Sequence, residues 1–259
     1  MSNESSSSPS PSPPPQNIYD DPTFFAGYAT MPRFGDGWTG ATEHADFMAL
    51  LPEPRGLRAL DLGCGNGQLA QYLGKAGAQE VIGVDISAQM LAVARTERQH
   101  PNVTYQQAPL ETLAFPDDRF ELVVSSLAFH YVADYARLMQ RIGRWLVPGG
   151  VLVFTNEHPI YTAGEASGDG WGYDAERQKR HWAVNDYADE GLRLKNWYVE
   201  GVQKYHRTVS TLLNGLLDAG LGIERVLEPV PSVEQIAARP AWADERQRPI
   251  FFLVRARKA

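Results

Sequence analysis

The chain has 259 residues, one cysteine, a formal net charge of -7 and a pI near 5.4. That acidity offers a phosphate backbone little attraction, which sets nucleic-acid substrates aside, and the lone Cys64 allows neither an internal disulfide nor a cysteine metal cluster. No apolar run approaches the ~20 residues of a membrane helix and no secretory signal opens the chain, so the expectation is a cytoplasmic monomer or homodimer with a small-molecule partner.

In chain order, residues 1–17 are dominated by Ser and Pro and read as a disordered tail. Residues 18–56 form an N-terminal cap, dense in aromatics over IYDDPTFFAGYATMPRF and with a short amphipathic helix over EHADFMALLP. LRALDL, EVIGVD, NVTYQQA and FELVVSSL then read as strands 1 to 4, with helices over GQLAQYLGKAG and, N-capped by Ser87, SAQMLAVARTERQ. Leu138, Met139, Ile142, Trp145 and Leu146 fall at helical spacing, and VPGG is expected to turn the chain into strand 5, VLVFTN.

Periodicity dissolves over residues 157–203 into Gly, Trp, Tyr and His, too long for an ordinary connection, which predicts a lid or substrate insertion. A further helix carries Val209, Leu212, Leu213, Leu216 and Leu217 on one face. IERVLEP and PIFFLVRARK follow as two strands whose short connection permits an antiparallel pair at the sheet edge.

LDLGCGNGQ sits where a parallel sheet binds ligands, in the turn after strand 1. Glycines at 63, 65 and 67 let backbone N–H groups approach a ligand at a helix N-terminus. The spacing is G-x-G-x-G and not the dinucleotide fingerprint G-x-G-x-x-G. Asp61 just before it would repel a pyrophosphate and welcome an ammonium group. Asp85, about 20 residues on at the end of strand 2, suits both hydroxyls of a ribose.

In this ordered set the chain resembles the class I S-adenosylmethionine-dependent methyltransferases. LDLGCGNG matches their first motif, VIGVDIS their second, APLETLAFPDDRFELVVSSLAFHYV the third and fourth, and LVPGGVLVF the run into strand 5. The resemblance implies an α/β, Rossmann-like, seven-stranded mixed sheet with an inserted last strand, and S-adenosylmethionine as cofactor. It implies that Asp61, Gly63, Gly65 and Gly67 line the methionine end, that Asp85 with Ile86 holds the ribose and flanks the adenine, and that Ser126 and Leu127 close the methionine pocket. Pro109 and Leu110 stand where the family often has an acid for the adenine amino group, which leaves that contact to backbone and packing or to Glu111. FHYV, EHPIYTA, KYHRT and RPIFFLV are similar to one bacterial subgroup that includes the azapteridine N-methyltransferases of toxoflavin biosynthesis.

Methyl transfer needs alignment and, if the nucleophile carries a proton, a base. The candidates are His130 after strand 4, His158 after strand 5 and His206 at the start of the penultimate helix, each weighed against a hydrogen-bonded loop histidine. His44, His100 and His181 read as surface or packing residues. Glu157 is a base, an orienting group or a solvated carboxylate. Tyr19, Tyr28 and Arg33 form an aromatic and cationic lid over the methionine carboxylate, or else belong with Phe24 and Phe25 to the apolar side of a cap helix. Trp171, Tyr173, Trp182, Tyr187, Trp197 and Tyr205 suggest a flat aromatic acceptor, while Arg193, Lys195 and Arg207 would neutralise an anionic one. No metal site is expected, because no His and carboxylate residues recur at metal-ligand spacing and Asp117 and Asp118 sit in a turn.

The leading expectation is methyl transfer to N or O of a small aromatic or heterocyclic molecule. The alternatives are carboxyl or carbon methylation of a small acid, and a catalytically silent cofactor-binding module. NAD-dependent reduction is a remote fourth.

Overall fold

The computed structural model describes residues 14–35, 39–164 and 170–259. Seven strands make one sheet: β1 (Arg58–Leu62), β2 (Glu80–Asp85), β3 (Val103–Gln107), β4 (Phe120–Ser126), β5 (Leu146–Glu157), β10 (Leu221–Leu227) and β11 (Phe251–Lys258). Their order is β10-β11-β5-β4-β1-β2-β3. β1 pairs in parallel with both β2 and β4, so the chain reverses direction across the sheet there, and the carboxyl end of β1 opens on the resulting crevice. β11 is antiparallel to β5 and to β10, the inserted last strand of the expected mixed sheet.

Alternation along the central strands builds two apolar layers. Leu60, Leu62, Val123, Leu152 and Phe154 face a cluster completed by Leu138, Met139 and Ile142 of α5 (Tyr135–Trp145) and Leu212 and Leu216 of α7 (Val209–Asp218). Ala59, Leu122, Val124 and Val153 face the other, with Phe47 from α2 (His44–Leu50) and Leu69 and Leu73 from α3 (Gln68–Lys75). Leu217, expected on the buried face of α7, is 53% exposed. Ser87 N-caps α4 (Ala88–Glu97), its hydroxyl accepting from Met90 N at 3.0 Å.

Four expectations are corrected. VPGG does not separate α5 from β5. Leu146 already belongs to the strand, and the register jumps from Phe120 opposite Leu146 to Leu122 opposite Val151, a bulge that takes up the four residues with Gly149 at φ 77°. The link between β10 and β11 is not short, since residues 228–250 hold α8 (Val233–Ala238) and a 3-10 helix (Pro240–Arg246), but the expected antiparallel pair does form at the sheet edge. The insertion is regular: after α6 (Pro159–Thr162) come two antiparallel hairpins, β6 (Trp171–Tyr173) with β7 (Lys179–Trp182) and β8 (Gly191–Trp197) with β9 (Val199–His206). His206 therefore ends β9 and does not start α7.

The fourth concerns the tail. Residues 1–13 lie outside the described residues, but Gln16 and Asn17 are half-buried and hydrogen-bonded. The Gln16 side chain donates to Gly201 O at 3.2 Å and accepts from Gln203 N at 2.8 Å, so it docks on β9. The cap continues through α1 (Pro22–Ala29), started by Asp21, whose carboxylate accepts from Phe24 N at 2.9 Å. Asp20 reaches across to the N-terminus of α4, accepting from Ser87 Oγ at 2.6 Å and Gln89 N at 2.9 Å. Among the described residues, no helix is long and apolar enough to cross a membrane.

Candidate active site

One cavity opens at the carboxyl end of β1 and β4 beneath the cap, and the three glycines behave differently around it. Gly63 and Cys64 N–H groups donate to Val84 O at 2.8 and 2.9 Å, which bends the chain back over β2. A Cβ on Gly63 would sit 2.3 Å from Ala128 Cβ, so that glycine permits close contact with the loop after β4. A Cβ on Gly65 would meet nothing within 4 Å, since this turn faces the cavity. Gly67 does not line the cavity: it caps α3 at φ 83°, with Tyr105 Oη 2.5 Å from where its Cβ would be.

Asp85 is fixed on both oxygens, Oδ2 accepting from Gly65 N at 2.8 Å and Oδ1 from Ser87 N at 2.8 Å. Burial raises its pKa against the pull of those two bonds. Asp61 is buried with Oδ2 lacking any hydrogen-bond partner. Burial first, and then the charge of Asp85, push its pKa up to about 8. A buried carboxyl group with one unpartnered oxygen beside an unobstructed glycine turn suits a cationic amino group.

Asp61, Gly63, Gly65, Asp85, Ile86, Leu110, Ser126 and Leu127 all border this cavity, as do Tyr19, Tyr28, Arg33, His130, Glu111 and Glu157. The cap aromatics divide between the cavity and the core. Tyr19 and Tyr28 meet edge to face at 5.0 Å over the cavity, whereas Phe24 is fully buried against Trp197. Arg33 is engaged by Glu43. Leu127 adopts φ 57°, the left-handed region that side chains rarely occupy, and donates its N–H to Thr155 O at 2.9 Å.

The three histidines separate. His130 is buried at the cavity wall, its Nδ1 3.0 Å from Asn156 Oδ1. With that oxygen accepting, the proton sits on Nδ1 and Nε2 carries the lone pair. Burial holds the ring neutral, its pKa lowered to about 4. His158 instead spends both nitrogens on structure. Nδ1 accepts from Ile160 N at 3.1 Å as the cap of α6, and Nε2 meets Glu228 at 2.5 Å. His206 does likewise, with Thr162 Oγ1 at 2.7 Å and Tyr187 O at 2.9 Å. Neither lines the cavity.

Of the insertion aromatics, only Trp197 borders the cavity. Tyr161, Trp171 and Trp182 surround Arg248 at 5.0, 5.7 and 4.4 Å, and Tyr187 accepts from Val209 N at 3.0 Å. The basic residues are committed elsewhere: Arg207 donates to Val132 O and Ala133 O, Arg193 to Asp189 O, and Lys195 to Gly164 O.

Several site residues lay beyond sequence reasoning. Asn66 and Gln68 hold the cap to the glycine turn by donating to Phe34 O and Gly35 O, both at 2.5 Å. Tyr131 shares a 3.2 Å contact between hydroxyls with Tyr19. Lys204 forms a buried ion pair with Glu157. Tyr131 stood beside His130 in FHYV and Lys204 inside KYHRT, but nothing in either string sets their partners.

A family model described as "Methyltransferase domain" matches residues 60–154, the span from β1 into β5. The crystal structure of an S-adenosylmethionine-dependent methyltransferase from Mesorhizobium loti is 46% identical, with a TM-score of 0.79, over 85% of this chain and 99% of that one. The chain belongs to the S-adenosylmethionine-dependent methyltransferases. Its cofactor is S-adenosylmethionine, whose ammonium group fits the unpartnered Asp61 oxygen. This methyltransferase is also 33% identical to an uncharacterized protein of Haemophilus influenzae over 93% of its own length and 97% of the relative's. To the malonyl-[acyl-carrier protein] O-methyltransferase of Enterobacter lignolyticus it is 44% identical, over 42% of each chain.

Proposed function

We propose that this methyltransferase acts on a nitrogen or oxygen of a small aromatic or heterocyclic acceptor, with the cap of residues 18–56 and the insertion of residues 157–203 framing the acceptor end. The observation that carries this reading is a neutral His130, oriented by Asn156 on the wall of the cavity that runs from the glycine turn to the ring of Trp197.

In this reading Asp61 receives the cofactor's ammonium group, Gly65 gives it unobstructed backbone, Asp85 accepts both ribose hydroxyls, and Ile86 and Leu110 pack the adenine. Ser126 and Leu127 close the methionine side, and Tyr19, Tyr28 and the paired Arg33 cover it. Bound S-adenosylmethionine supplies an electrophilic methyl group. His130 Nε2 would take the proton of an acceptor atom held in line with that methyl group. Trp197 and Tyr131 stack the acceptor and exclude water from the cation's methyl group.

The rival is carboxyl methylation, the chemistry named for the Enterobacter lignolyticus relative. Mass spectrometry of products from a panel of hydroxy- and amino-heteroaromatics and simple carboxylic acids separates the two. Methyl ethers or N-methyl products support the proposal, and methyl esters alone overturn it.

A further inference from the structure

Glu157 is a buried carboxylate at the acceptor end of the cavity, with a feature that packing alone does not require. It ends β5, directly after Asn156, the residue that orients His130. Lys204, from β9, donates to Glu157 Oε1. The ammonium is itself held over two rings, 5.0 Å from Trp197 and 6.0 Å from Tyr131. Glu157 lines the cavity, whereas Lys204 does not.

A buried ion pair is no cheaper in stability than apolar residues of the same shape, so its orientation matters more than its existence. Here the carboxylate borders the cavity, and the ammonium, held over the rings of Trp197 and Tyr131, does not. Burial would raise the Glu157 pKa, but the ammonium groups of Lys204 and Lys195 and the Lys204 hydrogen bond outweigh it and lower it below the usual carboxylate value. The acceptor end thus presents two hydrogen-bond acceptors, His130 Nε2 and a Glu157 oxygen. The nearby cations are spoken for, Lys204 by Glu157, Arg33 by Glu43 and Lys195 by Gly164 O.

From this geometry we infer, resting on the reading above, that the acceptor is uncharged and carries two N–H or O–H donors on one ring system, the group to be methylated facing His130 and a second donor held by Glu157. A carboxylate acceptor is disfavoured because it would meet Glu157, with Asp61 and Asp85 farther along the same cavity, while Lys204, Arg33 and Lys195 are already engaged. Glu157 is a specificity determinant in this scheme: it receives a hydrogen bond and takes no proton.

The test uses matched pairs of probes differing only in the second donor: catechol against phenol, and 2,3-diaminopyridine against 3-aminopyridine. Turnover is measured by product mass spectrometry. Binding to protein loaded with S-adenosylhomocysteine is measured by ligand-observed NMR. The wild type is expected to favour the two-donor member, and Glu157→Gln to weaken its binding roughly ten- to hundredfold, the scale of one charge-assisted hydrogen bond, while leaving the one-donor member within about twofold. Calorimetric affinity for S-adenosylhomocysteine should stay unchanged, which shows that the variant is folded. Should Glu157→Gln unfold, Glu157→Gln combined with Lys204→Met removes both charges together and must give the same loss of discrimination. Equal binding and turnover of both members by the wild type overturns this inference alone. Methylation confined to benzoic acid, or to none of the probes, overturns the proposed function as well.

Discussion

Gly65 donates its backbone N–H to Asp85 Oδ2 at 2.8 Å, which ties the glycine turn after β1 to the acid that ends β2. The same carboxylate accepts from Ser87 N at 2.8 Å, so one residue holds the turn, starts α4 and faces the cavity. Asp85→Ala should therefore do two things. Affinity for S-adenosylhomocysteine should fall roughly a hundredfold, and the fold should lose about 1–3 kcal/mol from the two stranded N–H groups. Calorimetry and urea melts read the two separately; unchanged affinity would remove Asp85 from the ribose role.

Asp61 gives a pH signature. Its carboxyl pKa is near 3.9 in an unfolded chain and about 8 when buried here, so the folded protein holds the extra proton between those values. Its contribution to stability is full below the lower value and lost as pH rises toward the upper one. A cofactor ammonium group favours the ionised form, so binding S-adenosylhomocysteine at pH 7 should release a proton. Calorimetry in buffers of differing ionisation enthalpy should detect that release, and Asp61→Asn should abolish it.

His130 has the opposite sign. An unfolded imidazole protonates near pH 6.5, whereas the buried ring does so at about 4, so its neutral form is available across the physiological range. Stability linked to this residue should decline as pH falls from 6.5 toward 4. Turnover at saturating cofactor should show no His130 inflection between pH 6 and 8. His130→Ala should lower kcat about 10²- to 10⁴-fold with little change in cofactor affinity. A kcat within a fewfold of wild type would rule out the base.

The glycines can be told apart by alanine substitution. Gly63→Ala meets Ala128 at 2.3 Å from a backbone at φ 73° and should cost about 3 kcal/mol in a thermal or urea melt. Gly65→Ala at φ 51° enters open space and should cost only about 1 kcal/mol, but its methyl group projects into the cavity and should weaken cofactor binding about tenfold. Equal losses of stability would mean that the turn is not held as described.

His158→Gln and His206→Gln serve as contrasts, because both rings hold structure outside the cavity. Each should lower the melting temperature while leaving kcat within about threefold of the wild-type value. A loss of turnover without loss of stability would return either residue to the chemistry.

The cofactor half was legible because its signals are local. Asp61, the glycines and Asp85 lie on consecutive strands and turns whose period and breakers can be read directly, and the turn after β1 needs positive φ at Gly63, Gly65 and Gly67. The acceptor half was less so. Three histidines followed strands or bordered a helix and looked alike in sequence. What separates His130 from His158 and His206 is the identity of their partners, Asn156 against Glu228, Thr162 and the Tyr187 carbonyl.

The sequence by itself determined the methyl donor's sheet and the turn at its switch point, since strand alternation and glycine conformations are properties of neighbours in the chain. Only the tertiary structure decided which side chains share the acceptor end. Lys204 reaches Glu157 and Gln16 reaches β9 across long separations in sequence, and such pairings follow from how the insertion and cap fold over the sheet, which no local pattern encodes. LDLGCGNGQ thus declares the cofactor, whereas the pairing of Glu157 with Lys204 was set by the fold alone.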